Sequence, residues 1–278
     1  VDQGGSANRA IVQQERSAGG TGSNASVTQP GGRGRATIVQ NGPALKAQID
    51  QNGNANEGEI SQQGMGTAGE ASIKAGSGTD YNLARILQDT GGSIGAIDQT
   101  SPNNKATIEQ VNAQPQAGTV EADIDQGGGV QNTAVIAQSG GGTGRSASLA
   151  QSGRENDGEI DQSGAANGIT ANVQMAGDLN TLRLIQSAED NGNIQADLKQ
   201  QGDENTITWE QRGSELGASV TQQGSGNAVE VTQSGSGYDV SITQNGDNNS
   251  LRITYSGPSE GGGGFTVVQN GGETRHAD

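Results

Sequence analysis

Apolar and polar residues alternate along this chain in short segments, and each segment closes on the same kind of side chain. Asn227, Val229, Val231 and Gln233 share one parity, with Ala228, Glu230 and Thr232 on the other. The next segment sets Tyr238, Val240, Ile242 and Gln244 against Asp239, Ser241 and Thr243. A period of two predicts a β-strand with one face buried and one wet. The links Gln223-Gly224-Ser225-Gly226 and Ser234-Gly235-Ser236-Gly237 each place Gly second, where it supplies the positive φ of a sharp reversal. Seven strand residues and four link residues bring the pattern back every eleven, through Gln200, Gln211, Gln222, Gln233 and Gln244 to Tyr255.

The same closing place is held earlier by Gln14, Gln29, Gln40, Gln51, Gln62, Gln88, Gln99, Gln110, Gln126, Gln138, Gln151, Gln162 and Gln186, and later by Gln269. Ala75 and Met175 interrupt the series. A second period lies above the first. Six residues before the closing place, every other segment carries Asn: Asn56, Asn82, Asn104, Asn132, Asn156, Asn180, Asn205, Asn227 and Asn249. The intervening segments put Leu45, Ser93, Val120, Ile169, Ile194, Leu216 or Tyr238 there. The repeating unit is therefore two strands in about 22 residues. The predicted fold is all-β, a β-solenoid of about 11 two-stranded rungs with two parallel sheets face to face, roughly 50 Å long at ~4.8 Å per rung. Residues 1–271 read as one array and 272–278 as a polar tail, and the insertions at 112–119 and 257–264 fall in links.

Amides that share parity with Ile207, Val220 and Val231 point inward. An unpaired buried polar group costs about 1–3 kcal/mol, so the inward Gln and Asn residues require partners. Like amides one rung apart supply them, each N–H meeting the next C=O in a ladder that also fixes register. Trp209 takes an inward place as a large core residue.

Composition taken alone reads as disorder, with 29% hydrophobic residues, 2% aromatics, 48 Gly and a net charge of -16. The register of the apolar positions overrides it, because a disordered chain has no need to keep them in phase. With no Cys, disulfides and thiolate metal sites are excluded. No apolar run approaches the ~20 residues of a membrane span. The acidic balance argues against nucleic acid and anionic membrane surfaces as partners. Glu121, Asp123 and Asp125, and again Asp157, Glu159 and Asp161, face outward with neighbours about 7 Å apart. That spacing occurs in inverting glycosidases, but no His, aromatic subsite or cleft accompanies it. No enzyme, metal or cofactor is expected. His276 lies in the polar tail, and Gly140-Gly141-Gly142-Thr143-Gly144 lacks the Lys of a phosphate loop and reads as a link.

The segment Gln222-Gln223-Gly224-Ser225-Gly226-Asn227-Ala228-Val229-Glu230-Val231-Thr232-Gln233 resembles the curlin repeat of curli major subunits. Gln126, Gly128 and the run Gln131-Asn132-Thr133-Ala134-Val135-Ile136-Ala137-Gln138 follow the same pattern with one residue inserted. So does Gln244-Asn245-Gly246-Asp247-Asn248-Asn249-Ser250-Leu251. The resemblance covers essentially the whole chain. It implies a secreted bacterial functional amyloid, polymerised into cell-surface fibres of the biofilm matrix, with a nucleating minor subunit and an outer-membrane export channel as partners. The alternative is a monomeric β-solenoid binding protein or adhesin stalk. Ice binding would need a flat Thr array, whereas the outward positions mix Thr, Ser, Asp, Glu, Lys and Arg. For a polymer of like copies, the expected docking ends are Ala10, Val12 and Gln14 at one tip and Phe265, Val267 and Gln269 at the other.

Overall fold

The computed structural model describes residues 1–278 apart from 16–21, 65–67, 77, 90–91, 112–119, 142–143, 165–167, 189–192, 215, 238, 255, 257–263, 273 and 278. Among the described residues, successive strands alternate between two sheets of 12 strands each. Sheet A takes the first, third and every later odd strand, and sheet B the even ones. Because the chain visits the opposite sheet before returning one layer on, neighbours in a sheet run parallel. Lys105–Val111 of sheet B lies in this way between Leu83–Gln88 and Thr133–Ser139. The result is the expected β-solenoid with two parallel sheets.

Register follows the repeat position by position. In sheet B, Ala106 pairs with Ala134, Ile108 with Ile136 and Gln110 with Gln138. In sheet A, Ala122 pairs with Ala147, Ile124 with Leu149 and Gln126 with Gln151. A slip of one residue would turn every one of these side chains to solvent. In many strands the inner face buries one small residue, one branched residue and one amide, as with Ala36, Ile38 and Gln40, while sheet B replaces the small residue by Leu182, Ile207 and Val229 in later layers. Trp209 is fully buried between the layers of Leu184 and Val231, and its indole N–H has no hydrogen-bond partner.

Two strands lie outside the expected set. Asp2–Gln3 pairs with Thr28 and Gln29 at the first edge of sheet A. Thr274–Ala277 pairs with Ser250 to Ile253 and extends sheet B, so the segment read as a polar tail from 272 is in part a strand. Backbone N–H and C=O groups at a sheet edge accept a partner strand whatever its side chains, which is why polarity alone misread this segment. The link geometry also differs from expectation. In Ser234-Gly235-Ser236-Gly237 the positive φ falls on Ser236 (64°) and Gly237 (59°) instead of Gly235. The insertions 112–119 and 257–263 lie outside the described residues, both in connections from sheet B to sheet A.

Candidate functional site: the amide ladders and the rod ends

Since most strands carry an inward Gln at or near their end, the amides of successive layers stand one above another. In sheet B the bonds run without a break from Gln14 through Gln40, Gln62, Gln88, Gln110, Gln138, Gln162 and Gln186 to Gln211, at 2.7–3.2 Å. Sheet A holds three shorter runs: Gln3 to Gln51, Gln99 through Gln126 to Gln151, and Gln200 through Gln222 and Gln244 to Gln269. Every one of these bonds has the same polarity, Nε2 of the earlier layer donating to Oε1 of the later.

The second amide hydrogen crosses the core. Gln138 Nε2 also donates to the Glu121 carbonyl of sheet A at 2.8 Å, and Gln151 Nε2 to the Thr133 carbonyl of sheet B at 2.8 Å. Such a Gln ties its own stack to the first or second residue of a strand in the opposite sheet. Leu or Met of similar volume would fill the space and make neither bond.

Interruptions leave a recognisable orphan. Below Ala75, the buried Oε1 of Gln99 has no donor, and below Met175 the same is true of Gln200. Gln151 Nε2 meets the Met175 Sδ at 3.7 Å instead of an amide oxygen. In sheet B, Gln211 turns to the Gln195 and Gly217 carbonyls, and both amide atoms of the buried Gln233 are unpartnered. Tyr255, the expected last interruption, lies outside the described residues. Ala75 is in register with Gln51 and Gln99, so Ala75→Gln should close the gap. The expected gain is about 1–2 kcal/mol from the donor returned to Gln99, read as a higher urea midpoint. A midpoint equal to that of the unsubstituted chain would mean that the orphan acceptor costs nothing.

The Asn residues work differently from the side-chain ladder predicted for them. All nine are buried, but each sits at the corner just ahead of a sheet B strand. Its Oδ1 accepts the backbone N–H of the Asn one layer on, at 2.8–3.1 Å from Asn82 to Asn249. Its Nδ2 goes mostly to turn carbonyls of the next layer, as Asn132 to Gly153 (2.9 Å) and Asn180 to Gly202 (2.8 Å). Direct Asn–Asn side-chain bonds occur only at Asn156, Asn205 and Asn249 among the described residues. The turns these Asn residues hold are tightly stacked. Gly153, at φ 97°, would drive a Cβ into the Gly177 carbonyl of the next layer.

One interior residue escaped the sequence reading. Arg145 occupies the place held by Val120 and Ile169 in adjoining layers and is 4% exposed. Its guanidinium donates to the Gly140, Gly141 and Gly164 carbonyls, while its Nε is buried without a partner. Burial lowers its pKa. The signal was present as an Arg six residues before Gln151.

The outer faces carry the charge. Glu121, Asp123 and Asp125 line sheet A, and Asp157, Glu159 and Asp161 line sheet B. Among the described residues no group of His, Cys, Asp and Glu is arranged to hold a metal ion. Partial burial, then the charges of Asp125 and Asp98, raise the Asp123 pKa. Burial followed by Asp98 raises that of Asp125, against the pull of Lys74. Burial and Glu159 raise that of Asp161, against Arg183. A carboxyl whose pKa is higher in the folded state holds its proton more tightly there, so its stability contribution is full below the unfolded pKa and is lost as pH rises through the folded one. Mild acidification from neutrality towards about pH 4–5 should therefore raise the melting temperature. Asp123→Asn with Asp125→Asn should flatten that rise, and a melting temperature that falls on acidification would contradict it.

At the rod ends, Arg9–Glu15 is the edge strand of sheet B, paired on one side only. Ala10 is half-buried, Val12 is 37% exposed and Gln14 is exposed on its far side. At the other end Phe265–Asn270 is the edge of sheet A, with Val267 half-buried and Gln269 buried. The Phe265 side chain lies outside what is described. The residues expected to dock thus stand on edge strands, joined there by Asp2–Gln3 and Thr274–Ala277.

A family model described as the curlin associated repeat matches residues 193–235. No curated protein and no solved structure matches the chain. The matched span holds the strands Asp197–Gln201, Thr206–Gln211, Ser219–Gln223 and Ala228–Thr232, and their layer geometry is that of the layers before and after.

Proposed function

We propose that this chain, whose residues 193–235 match the curlin associated repeat, is the structural subunit of an extracellular curli-like amyloid fibre on a bacterial surface. Copies add head to tail by strand stacking, and the fibre serves biofilm matrix and adhesion. A nucleating minor subunit and an outer-membrane export channel are its partners in this reading. The observation that carries it is the single polarity of the amide ladders. Each end of the rod is a strand edge paired on one side only, and the common direction of the ladders makes the two ends unlike. Unlike ends match each other and like ends do not, and such a heterologous contact grows an open filament instead of a closed oligomer.

Purified chain held in buffer should form dye-positive fibres with a meridional reflection at about 4.7–4.8 Å. Deleting residues 264–278 should slow elongation sharply. The net charge of -16 should make deposition faster in salt, since screening cuts repulsion to about 8 Å at physiological ionic strength. A chain that stays monomeric at high concentration and in salt would overturn the proposal.

A further inference from the structure

Along the two outward columns that hold Asp123 and Asp125, sheet A carries most of its charge in its first half, and the exposed Asp239 stands outside these columns, just ahead of Val240–Asn245. Beyond Asp125 these two columns present mainly neutral side chains: Ser148 and Ala150 follow Asp123 and Asp125 in register, and later Ser219 with Thr221 lies beside Ser241 with Thr243. Sheet B keeps its charges over the same length, including Glu159, Arg183, Glu230 and Arg252, which pair with one another across layers. In an acidic rod that repels its copies elsewhere, this half-face is where two copies approach without like charges meeting.

The neutral stretch is broken once, at Asp197 and Lys199, which stand in the same two columns as Asn172 and Gln174. Neither takes an ion pair within the chain among the described residues. We propose that this half of sheet A is a lateral docking surface for a second copy of the chain, the two rods lying parallel about a twofold axis that runs between the two columns. That axis sets Asp197 of each rod against Lys199 of the other and Ser241 of each against Thr243 of the other. Because both rods repeat at ~4.8 Å, all layers come into step once one layer does. The match ends at the layer of Asp123 and Asp125, where carboxylates would meet carboxylates.

Two columns about 7 Å apart over half the rod cover on the order of 400 Å² on each partner, about half of a standard interface. A single pair of rods is thus held weakly. Repetition along joined rods multiplies the contact, so in fibres, whose existence rests on the function proposed above, the same surface bundles filaments side by side.

The chain has no Cys, which makes cross-linking clean. Soluble Ser241→Cys and Thr243→Cys chains, mixed and mildly oxidised, should give the mixed disulfide dimer, identified by mass, in several-fold excess over a Glu230→Cys and Thr232→Cys mixture on sheet B. Adding Lys199→Glu should bring the yield down to that control. Swapping both charges, Asp197→Lys with Lys199→Asp, should restore it. A yield at the control level, or one indifferent to both charge changes, overturns the proposal. Because this readout uses soluble chain, it stands whether or not fibres form; a failure to form fibres would count against the proposed function alone.

Discussion

Gln138→Glu should destabilise the chain by about 3–5 kcal/mol at neutral pH, the cost of a buried charge without a compensating partner. Gln138 Oε1 accepts from Gln110 at 2.9 Å, and Nε2 donates to Gln162 Oε1 and to the Glu121 carbonyl, both at 2.8 Å. A carboxylate preserves the first of these contacts and turns the other two into oxygen facing oxygen. Burial and two acceptors raise the introduced carboxyl's pKa in the folded state, so the penalty is present above that pKa and shrinks as pH falls through it. A protonated carboxyl still has one hydrogen for two acceptors, which makes the recovery partial. Gln138→Leu separates charge from space: it leaves Gln162 without a donor, about 1–3 kcal/mol, with no matching pH dependence. Denaturant midpoints at pH 7 and pH 4 decide the matter. Equal losses for Glu and Leu at both pH values would mean that the ladder contributes volume and not hydrogen bonds.

Polarity within the ladder is also what connects interior chemistry to assembly. A stack of amides has a donor end and an acceptor end, and it keeps that direction only if no layer is inverted. The chain's route enforces this, because each strand is followed by one in the opposite sheet and every layer in a sheet enters from the same side. The breaks at Ala75 and Met175 are tolerated because sheet B is continuous across both layers. The orphaned acceptors of Gln99 and Gln200 are local costs in a frame whose register is held by the other sheet.

Much of this was legible in the sequence because the repeat is exact in parity. A two-residue alternation fixes which side chains face inward, and a closing amide at constant spacing fixes what stacks on what. The corner was less legible. The residue before each Asn adopts a positive φ, yet it is Gly only at Gly226 and otherwise Ala55, Tyr81, Asn103, Gln131, Glu155, Leu179, Glu204 or Asn248, so composition gives no sign of it. There the backbone is held by the Asn bonds of adjoining layers, and intrinsic preference is overridden. Arg145 was missed for a related reason: its charge is accommodated by turn carbonyls that only the folded stack brings together. Thr274–Ala277 joined sheet B through backbone pairing, which side-chain pattern does not report.

The Asn corner yields the second large expected effect. Asn156 Oδ1 accepts the Asn180 N–H at 3.0 Å, and Nδ2 donates to Gly177 (2.8 Å), Ser152 (3.0 Å) and Asn132 Oδ1 (3.1 Å). Asn156→Ala strands a buried N–H and removes donors from two turn carbonyls, which should cost about 2–4 kcal/mol when summed over these groups. The loss is directional, because the side chain binds chiefly the layer that follows. Amide exchange at Asn180 should speed up markedly, while Asn132, whose N–H is held by Asn104 at 2.9 Å, should keep its protection. Asn156→Asp keeps the acceptor for Asn180 but sets a carboxylate against the Gly177 and Ser152 carbonyls. It should therefore protect the Asn180 amide better than Ala does, while still lowering the overall midpoint. Equal deprotection of Asn132 and Asn180 in the Ala variant would show that the corner fails as a whole, and that the Asn bonds do not define which layer each one supports.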